Sequence, residues 1–130
     1  MKKFLFCFGT RPEAIKVAPV IKEVEARGHK AIICISGQHR DMIIPFLEFF
    51  NIKEDYNLDI MKDNQSLSSM TATILTKMED VITDSNPDFI MVQGDTTTTF
   101  TCALSGFYHK IPVAHIEAGL RTGDIYSPFP

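Results

Sequence analysis

Apolar runs recur along the chain, each closed by a glycine or a polar turn and each followed by a segment with helical spacing. Phe4 to Phe8 is apolar with almost no alternation, which suits a strand buried on both faces of a parallel sheet. Gly9-Thr10-Arg11-Pro12-Glu13 then supplies a turn glycine, a threonine able to cap, and a proline and an acid fitted to the first turn of a helix. That helix is expected to run to about Arg27 and stop at Gly28, with Pro19 kinking it or breaking it in two. Lys30 to Ser36, apolar from Ala31 to Ile35, repeats the pattern as a second buried strand and empties into Gly37-Gln38-His39-Arg40-Asp41. Met42 to Phe50 predicts a short apolar helix with Pro45 near its start. Asn51 to Asp59 is a polar connection in which Tyr56-Asn57-Leu58 reads as a short third strand.

From Ser66 the apolar positions Leu67, Met70, Ile74, Met78 and Val81 fall at three- and four-residue spacing, the stripe of an amphipathic helix. Asp84-Ser85-Asn86-Pro87 ends it. Phe89 to Gln93 is the fourth strand; it opens through Gly94-Asp95 into a hydroxyl-rich helix from Thr96 to about Tyr108. Pro112 to Ile116 is the fifth, delivering Glu117-Ala118-Gly119-Leu120-Arg121, and Thr122 to Pro130 reads as a loop. Strand and helix alternation of this kind predicts an α/β fold, a doubly wound, Rossmann-like parallel sheet with right-handed crossovers. In the usual strand order 3-2-1-4-5 the first and fourth strands are neighbours where the winding reverses, and ligands bind in the crevice at that point.

Composition narrows the possibilities. The 130 residues are one domain's length, and a net charge of −3 leaves no electrostatic footprint for nucleic acid or an anionic membrane. Cys7, Cys34 and Cys102 are odd in number, far apart and set in apolar runs, so they read as buried free thiols in a reducing compartment, without a metal-ligand pattern. The apolar run after Lys2-Lys3 is too short for an export signal, and no run approaches a membrane span. A soluble cytoplasmic protein is the expectation.

The predicted topology brings polar turns together. Gly9-Thr10-Arg11 should face Gln93-Gly94-Asp95, with Gly37-Gln38-His39 and Glu117 flanking them. Arg11 and Lys16 sit in the first two turns of a helix, where free backbone N–H groups and the helix dipole favour an anion, although both could equally belong to a solvated face. Asp95 alone at a strand end could merely cap the next helix. Paired with Glu117 at an adjacent strand end, it could divide acid and base roles. His39 and His115 read as structural, and neither a G-x-G-x-x-G fingerprint nor a P-loop is present.

Four segments carry a family resemblance: Gly9-Thr10-Arg11-Pro12-Glu13-Ala14-Ile15-Lys16, Ser36-Gly37-Gln38-His39-Arg40, Gln93-Gly94-Asp95-Thr96-Thr97-Thr98, and the run from His115 to Asp124. Together, and in this order, they resemble the non-hydrolysing UDP-N-acetylglucosamine 2-epimerases. The resemblance implies a glycosyltransferase-B type enzyme of two Rossmann-like domains. Its reaction interconverts UDP-GlcNAc and UDP-ManNAc, by anti-elimination of UDP to a 2-acetamidoglucal and re-addition after proton return at C2. It implies no dissociable cofactor and no metal, a UDP-sugar substrate and a homodimer. Asp95 and Glu117 match catalytic carboxylates and Lys16 a functional lysine; Arg11 matches a position near the diphosphate, and Thr96 and Arg121 match substrate-binding positions. The threonine after Asp95 separates the chain from hydrolysing relatives, which resemble Gly-Asp-Arg there.

Gln38 and His39 match an allosteric UDP-GlcNAc site of some bacterial members, but Asp41 and Asn64 stand where regulated members have Gln and Arg. The family motif continues past Ser127-Pro128-Phe129-Pro130 into a further catalytic glutamate, and a functional histidine and most uridine contacts belong to the second domain. Residues 1–130 are therefore expected to form an incomplete amino-terminal Rossmann-like domain, nearly inactive alone, with the UDP-binding domain absent. The alternatives are a glycosyltransferase acceptor domain of the same fold and a non-catalytic sugar-nucleotide-binding or dimerisation module. A cut sheet would also leave a strand edge and apolar surface through which the chain could dimerise.

Overall fold

Strands and helices alternate through the computed structural model as β1 (Lys3–Phe8), α1 (Arg11–Ala26), β2 (Lys30–Ile35), α2 (Arg40–Phe49), β3 (Tyr56–Asn57), α3 (Leu67–Ser85), β4 (Phe89–Gln93), α4 (Thr97–Tyr108) and β5 (Val113–Ile116). The residues described are 1–130 except Gln38, His39, Ala118, Leu120, Pro128, Phe129 and Pro130. Every strand pair is parallel, and the order across the sheet is β3-β2-β1-β4-β5, the predicted one. β1 is central, with Cys7 level with Cys34 on one side and Phe6 level with Met91 on the other.

The alternation of side chains along β1 divides the core into two layers. Phe6 and Phe8 join Ile33 and Ile35 under α1 and α2, against Val17, Ile21, Ile43 and Leu47. Leu5 and Cys7 join Ile32, Cys34, Ile90 and Val92 under α3 and α4, against Ile74, Met78, Ile82 and Cys102. The three cysteines are buried free thiols, as their apolar settings predicted. Hydrogen bonding with Cys102 and Cys34, and then burial, push the Cys7 thiol well above its usual range, so it is held protonated and inert.

Several local expectations are met by their physical causes. Thr10 caps α1, forming a capping box with Glu13; Ser66 caps α3 by accepting from Ser69 N–H at 3.0 Å; Asn86, in the left-handed region at φ 46°, closes α3 before Pro87. β3 is as short as its polar surroundings suggested, held through Asp55 N–H to Ile33 O at 2.8 Å and Leu58 N–H to Ile35 O at 2.9 Å.

Other expectations are corrected. α1 continues through Pro19 as one helix, so it is not broken into two pieces there. Pro19 lies on the exposed side, as does Ile15, whose carbonyl loses its helical donor there, while the buried stripe of Val17, Ala18 and Ile21 continues beneath. α2 begins at Arg40 rather than Met42, so Pro45 lies mid-helix, again on the exposed side. Leu67 is 72% exposed, and the buried stripe of α3 starts at Met70 instead. A residue at the first position of a helix precedes the turn that packs on the sheet, which spacing alone does not reveal. Among the described residues no helix is long and apolar enough to cross a membrane.

Candidate functional site

The carboxyl ends of β1, β4 and β5 border a cleft of about 590 Å³ at the point where the winding reverses. Thr10, Pro12 and Lys16 line it from the first turns of α1, Gln93 to Thr97 from the β4–α4 turn, and His115, Glu117, Gly119 and Arg121 from β5 and the segment after it. That volume lies within the range of small-molecule sites.

Gly94 at φ 75° reverses the backbone after β4, with its N–H donated to Ile116 O at 3.0 Å, and so projects Asp95 outward. Asp95 does not cap α4. That task falls to Thr96, whose hydroxyl accepts Thr99 N–H at 3.2 Å. Among the described residues the Asp95 side chain makes no hydrogen bond or ion pair, and it is exposed to the cleft. A carboxylate spared from capping at this place is available to a ligand.

Glu117 has φ 59°, a left-handed conformation that costs a non-glycine residue energy and tends to persist at functional sites. Its carboxylate accepts hydrogen bonds from Lys16 Nζ and from Gln93 Nε2, so α1, β4 and β5 meet at one group. Both partners of the Lys16–Glu117 ion pair are about half exposed, at 47% and 55%, which leaves the lysine able to exchange its partner for an incoming anion. His115 Nε2 lies 2.5 Å from the Gly94 carbonyl and so donates to it, steadying the turn that carries Asp95.

The N-terminus of α1 differs from expectation. Its free N–H groups were to favour an anion, but the Glu13 carboxylate takes the N–H of the cap residue Thr10 at 2.7 Å, together with that of Gly9 before it at 3.0 Å. Glu13 N–H points to Thr10 Oγ1 at 3.5 Å, Ala14 N–H is donated to Thr10 O, and Pro12 has none. Arg11 N–H is the first-turn amide left open among the described residues, so cationic side chains share with it the attraction for an anion in the cleft.

Of the residues singled out from sequence, Lys16, Asp95, Thr96, Glu117 and Arg121 come together here. Arg11 does not: its guanidinium carbon sits 4.6 Å from the centre of the Phe46 ring, a cation–π contact with α2, and it is not part of the cleft wall. An exposed arginine at a helix start is free to lie along either neighbour, and the aromatic face holds it. Gln38 and His39 lie outside the described residues. Gln93 was placed at the cleft with its turn but given no role of its own, and Glu13 was not singled out as a member of the site. The signal for Glu13 was present in Thr10-x-x-Glu13, a capping-box spacing, but nothing local indicated that the same carboxylate reaches Thr96 and Thr99 at the start of α4.

A family model described as UDP-N-acetylglucosamine 2-epimerase matches residues 22–130. A UDP-N-acetylglucosamine 2-epimerase of Neisseria meningitidis is 55% identical over 98% of this chain and 35% of its own length, and one of Salmonella borreze 52% identical over 100% and 35%. Among solved structures, UDP-GlcNAc 2-epimerase from Neisseria meningitidis bound to UDP-GlcNAc superposes with a TM-score of 0.92 at 54% identity, over 98% of this chain and 35% of that one. The Methanocaldococcus jannaschii enzyme in complex with UDP-GlcNAc and UDP gives a TM-score of 0.87 at 38% identity, over 94% and 34%. The chain thus spans about a third of the length of the relatives it matches.

Proposed function

The chain belongs to the UDP-N-acetylglucosamine 2-epimerase family, and we propose that it supplies the amino-terminal half of an active site that interconverts UDP-GlcNAc and UDP-ManNAc. The observation that carries this reading is that Asp95, Glu117 and Lys16, to which the family resemblance attaches functional roles, line one cleft at the switch point of the sheet. In this reaction a base removes the C2 proton while UDP leaves C1 from the opposite side, giving a 2-acetamidoglucal. A proton then returns to C2 from the other face and UDP adds back at C1. One proton-handling group is needed on each side of the sugar, and two carboxylates delivered by different strands meet that need.

Lys16 exchanges Glu117 for the diphosphate, offsetting the charge that develops on departing UDP and releasing a carboxylate oxygen at the same moment. Thr96 and Arg121 bind substrate from the cleft wall. A diphosphate contact from Arg11 requires its guanidinium to leave Phe46. In this reading the second Rossmann-like domain, which holds uridine, belongs to the two thirds of the relatives' length that this chain does not match. A homodimer fits the apolar residues exposed on α4, with Phe100 at 60%, Phe107 at 74% and Tyr108 at 60% exposure. A reducing, cytoplasmic setting fits the free thiols.

The test is solvent exchange at C2. In the full-length protein, turnover of UDP-GlcNAc in deuterium oxide should place deuterium at C2, and Asp95→Asn or Glu117→Gln should abolish it. Undiminished exchange in either variant removes that carboxylate from the mechanism. The 130-residue chain by itself should produce no UDP-ManNAc detectable by NMR.

A further inference from the structure

Glu13 is 2% exposed, although a helix cap needs only an exposed acid at this position. One of its oxygens takes the N–H groups of Gly9 and Thr10, and the other meets the hydroxyl oxygens of Thr96 at 2.8 Å and Thr99 at 3.2 Å. The carboxylate therefore spans the crevice floor, from the turn after β1 to the turn after β4. Counting protons assigns the contacts. Thr96 Oγ1 accepts Thr99 N–H, so its own proton goes to Glu13; the Thr99 proton goes to Gln93 O at 2.6 Å, which leaves the 3.2 Å approach as packing without a proton. Glu13 thus receives three protons, two from one wall of the cleft and one from the residue after Asp95.

We propose that Glu13 is a positioning residue for the epimerisation: its buried carboxylate sets the spacing between the turn that leads to Lys16 and the turn that carries Asp95. This rests on the proposed epimerase function. Glu13 touches no reacting atom; it acts through Thr96 and the backbone beside Asp95. What it supplies is a distance, because each of its bonds survives in a carboxamide. In Glu13→Gln the remaining oxygen accepts both amides, and the NH2 donates to Thr96 Oγ1, whose proton turns to Thr99 Oγ1 at 3.0 Å. Glu13→Ala removes all three bonds and leaves the turns to separate.

Two measurements decide this. In the 130-residue chain, Glu13→Ala should move the amide resonances of Gly94, Asp95 and Thr96 as well as those of Gly9 and Thr10, while Glu13→Gln keeps the wild-type pattern across the cleft. In the full-length protein, Glu13→Ala should lower kcat about 100-fold with little change in KM, the scale of a misplaced catalytic group, and Glu13→Gln should stay within about tenfold of wild type. Unmoved Gly94 to Thr96 amides in Glu13→Ala, or equal loss of kcat in both variants, would overturn the proposal. If Glu13→Ala does not fold, Glu13→Gln decides: a retained amide pattern and kcat support it, and their loss refutes it. Absence of epimerisation by the wild-type protein would overturn the catalytic role together with the epimerase reading. The amide measurement needs no substrate and separates that failure from failure of the clamp.

Discussion

Replacing Gly9 by alanine is a sharp test of how tightly the switch point is built. A Cβ at this position would lie 2.0 Å from Ser36 Oγ, 3.1 Å from Thr98 Oγ1 and 3.2 Å from Ser36 Cβ. The first distance is impossible, so the Ser36 side chain must rotate or the strand ends must part. The backbone of Ser36 cannot easily retreat, because its N–H is donated to Phe8 O at 3.0 Å and its carbonyl accepts Ile60 N–H at 3.1 Å. Overpacking of this kind costs about 1–3 kcal/mol. The alanine recovers about 0.4–1 kcal/mol by restricting the unfolded chain, Gly9 not being among the positive-φ glycines, so a net loss of about 1–2 kcal/mol is expected. Ser36 Oγ is buried and, among the described residues, has no hydrogen-bond partner. Ser36→Ala should therefore be neutral or stabilising by up to about 1 kcal/mol, and in its background Gly9→Ala faces only the two looser contacts. The double-mutant cycle should yield a coupling of about 1 kcal/mol, read from urea unfolding followed by circular dichroism; in thermal unfolding that is a shift of about 3–5 °C. Additivity within about 0.3 kcal/mol would refute the steric argument.

Two further outcomes come from the side-chain geometry. Thr96→Ala removes both the α4 cap and the bond to Glu13 and should cost about 1–3 kcal/mol, whereas Asp95→Ala should change stability by less than about 0.5 kcal/mol; the reverse ranking in denaturant melts would make Asp95 the cap after all. The Tyr56 hydroxyl donates to the Asp84 carboxylate, and that bond, with a contribution from burial, holds its pKa at about 12 against an ordinary value of 10. Because the folded state keeps the proton more tightly, the stabilisation is fully present below pH 10 and lost as pH rises toward 12. Tyr56→Phe should show a flatter decline of urea midpoint over that window, and identical declines in both proteins would dismiss the Tyr56–Asp84 bond as its source.

Much of the architecture was legible because it rests on local periodicity and a handedness rule. Continuous apolar runs marked buried parallel strands, three- and four-residue spacing marked α3, and right-handed crossovers then left strand order 3-2-1-4-5 as the usual solution. Since strand carboxyl ends share one edge in such a sheet, the meeting of Lys16, Asp95 and Glu117 also came from topology. No break occurs at Pro19 because a proline on the solvent side leaves the buried stripe intact, and Leu67 was misjudged because spacing does not say where a helix first touches the sheet.

The sequence by itself determined which elements form, their order, and most of the residues gathered at the strand ends, since each is written in spacings of a few residues. Only the tertiary structure decided how those residues divide the work. Thr96 relieves Asp95 of capping, Glu13 occupies the cap amide of α1, Lys16 rests on Glu117, and Arg11 turns to Phe46. Those choices depend on distances between turns such as those at Glu13 and Thr96, 83 residues apart. No periodicity in the chain encodes such a distance; it is set by how the sheet twists and how the two core layers pack.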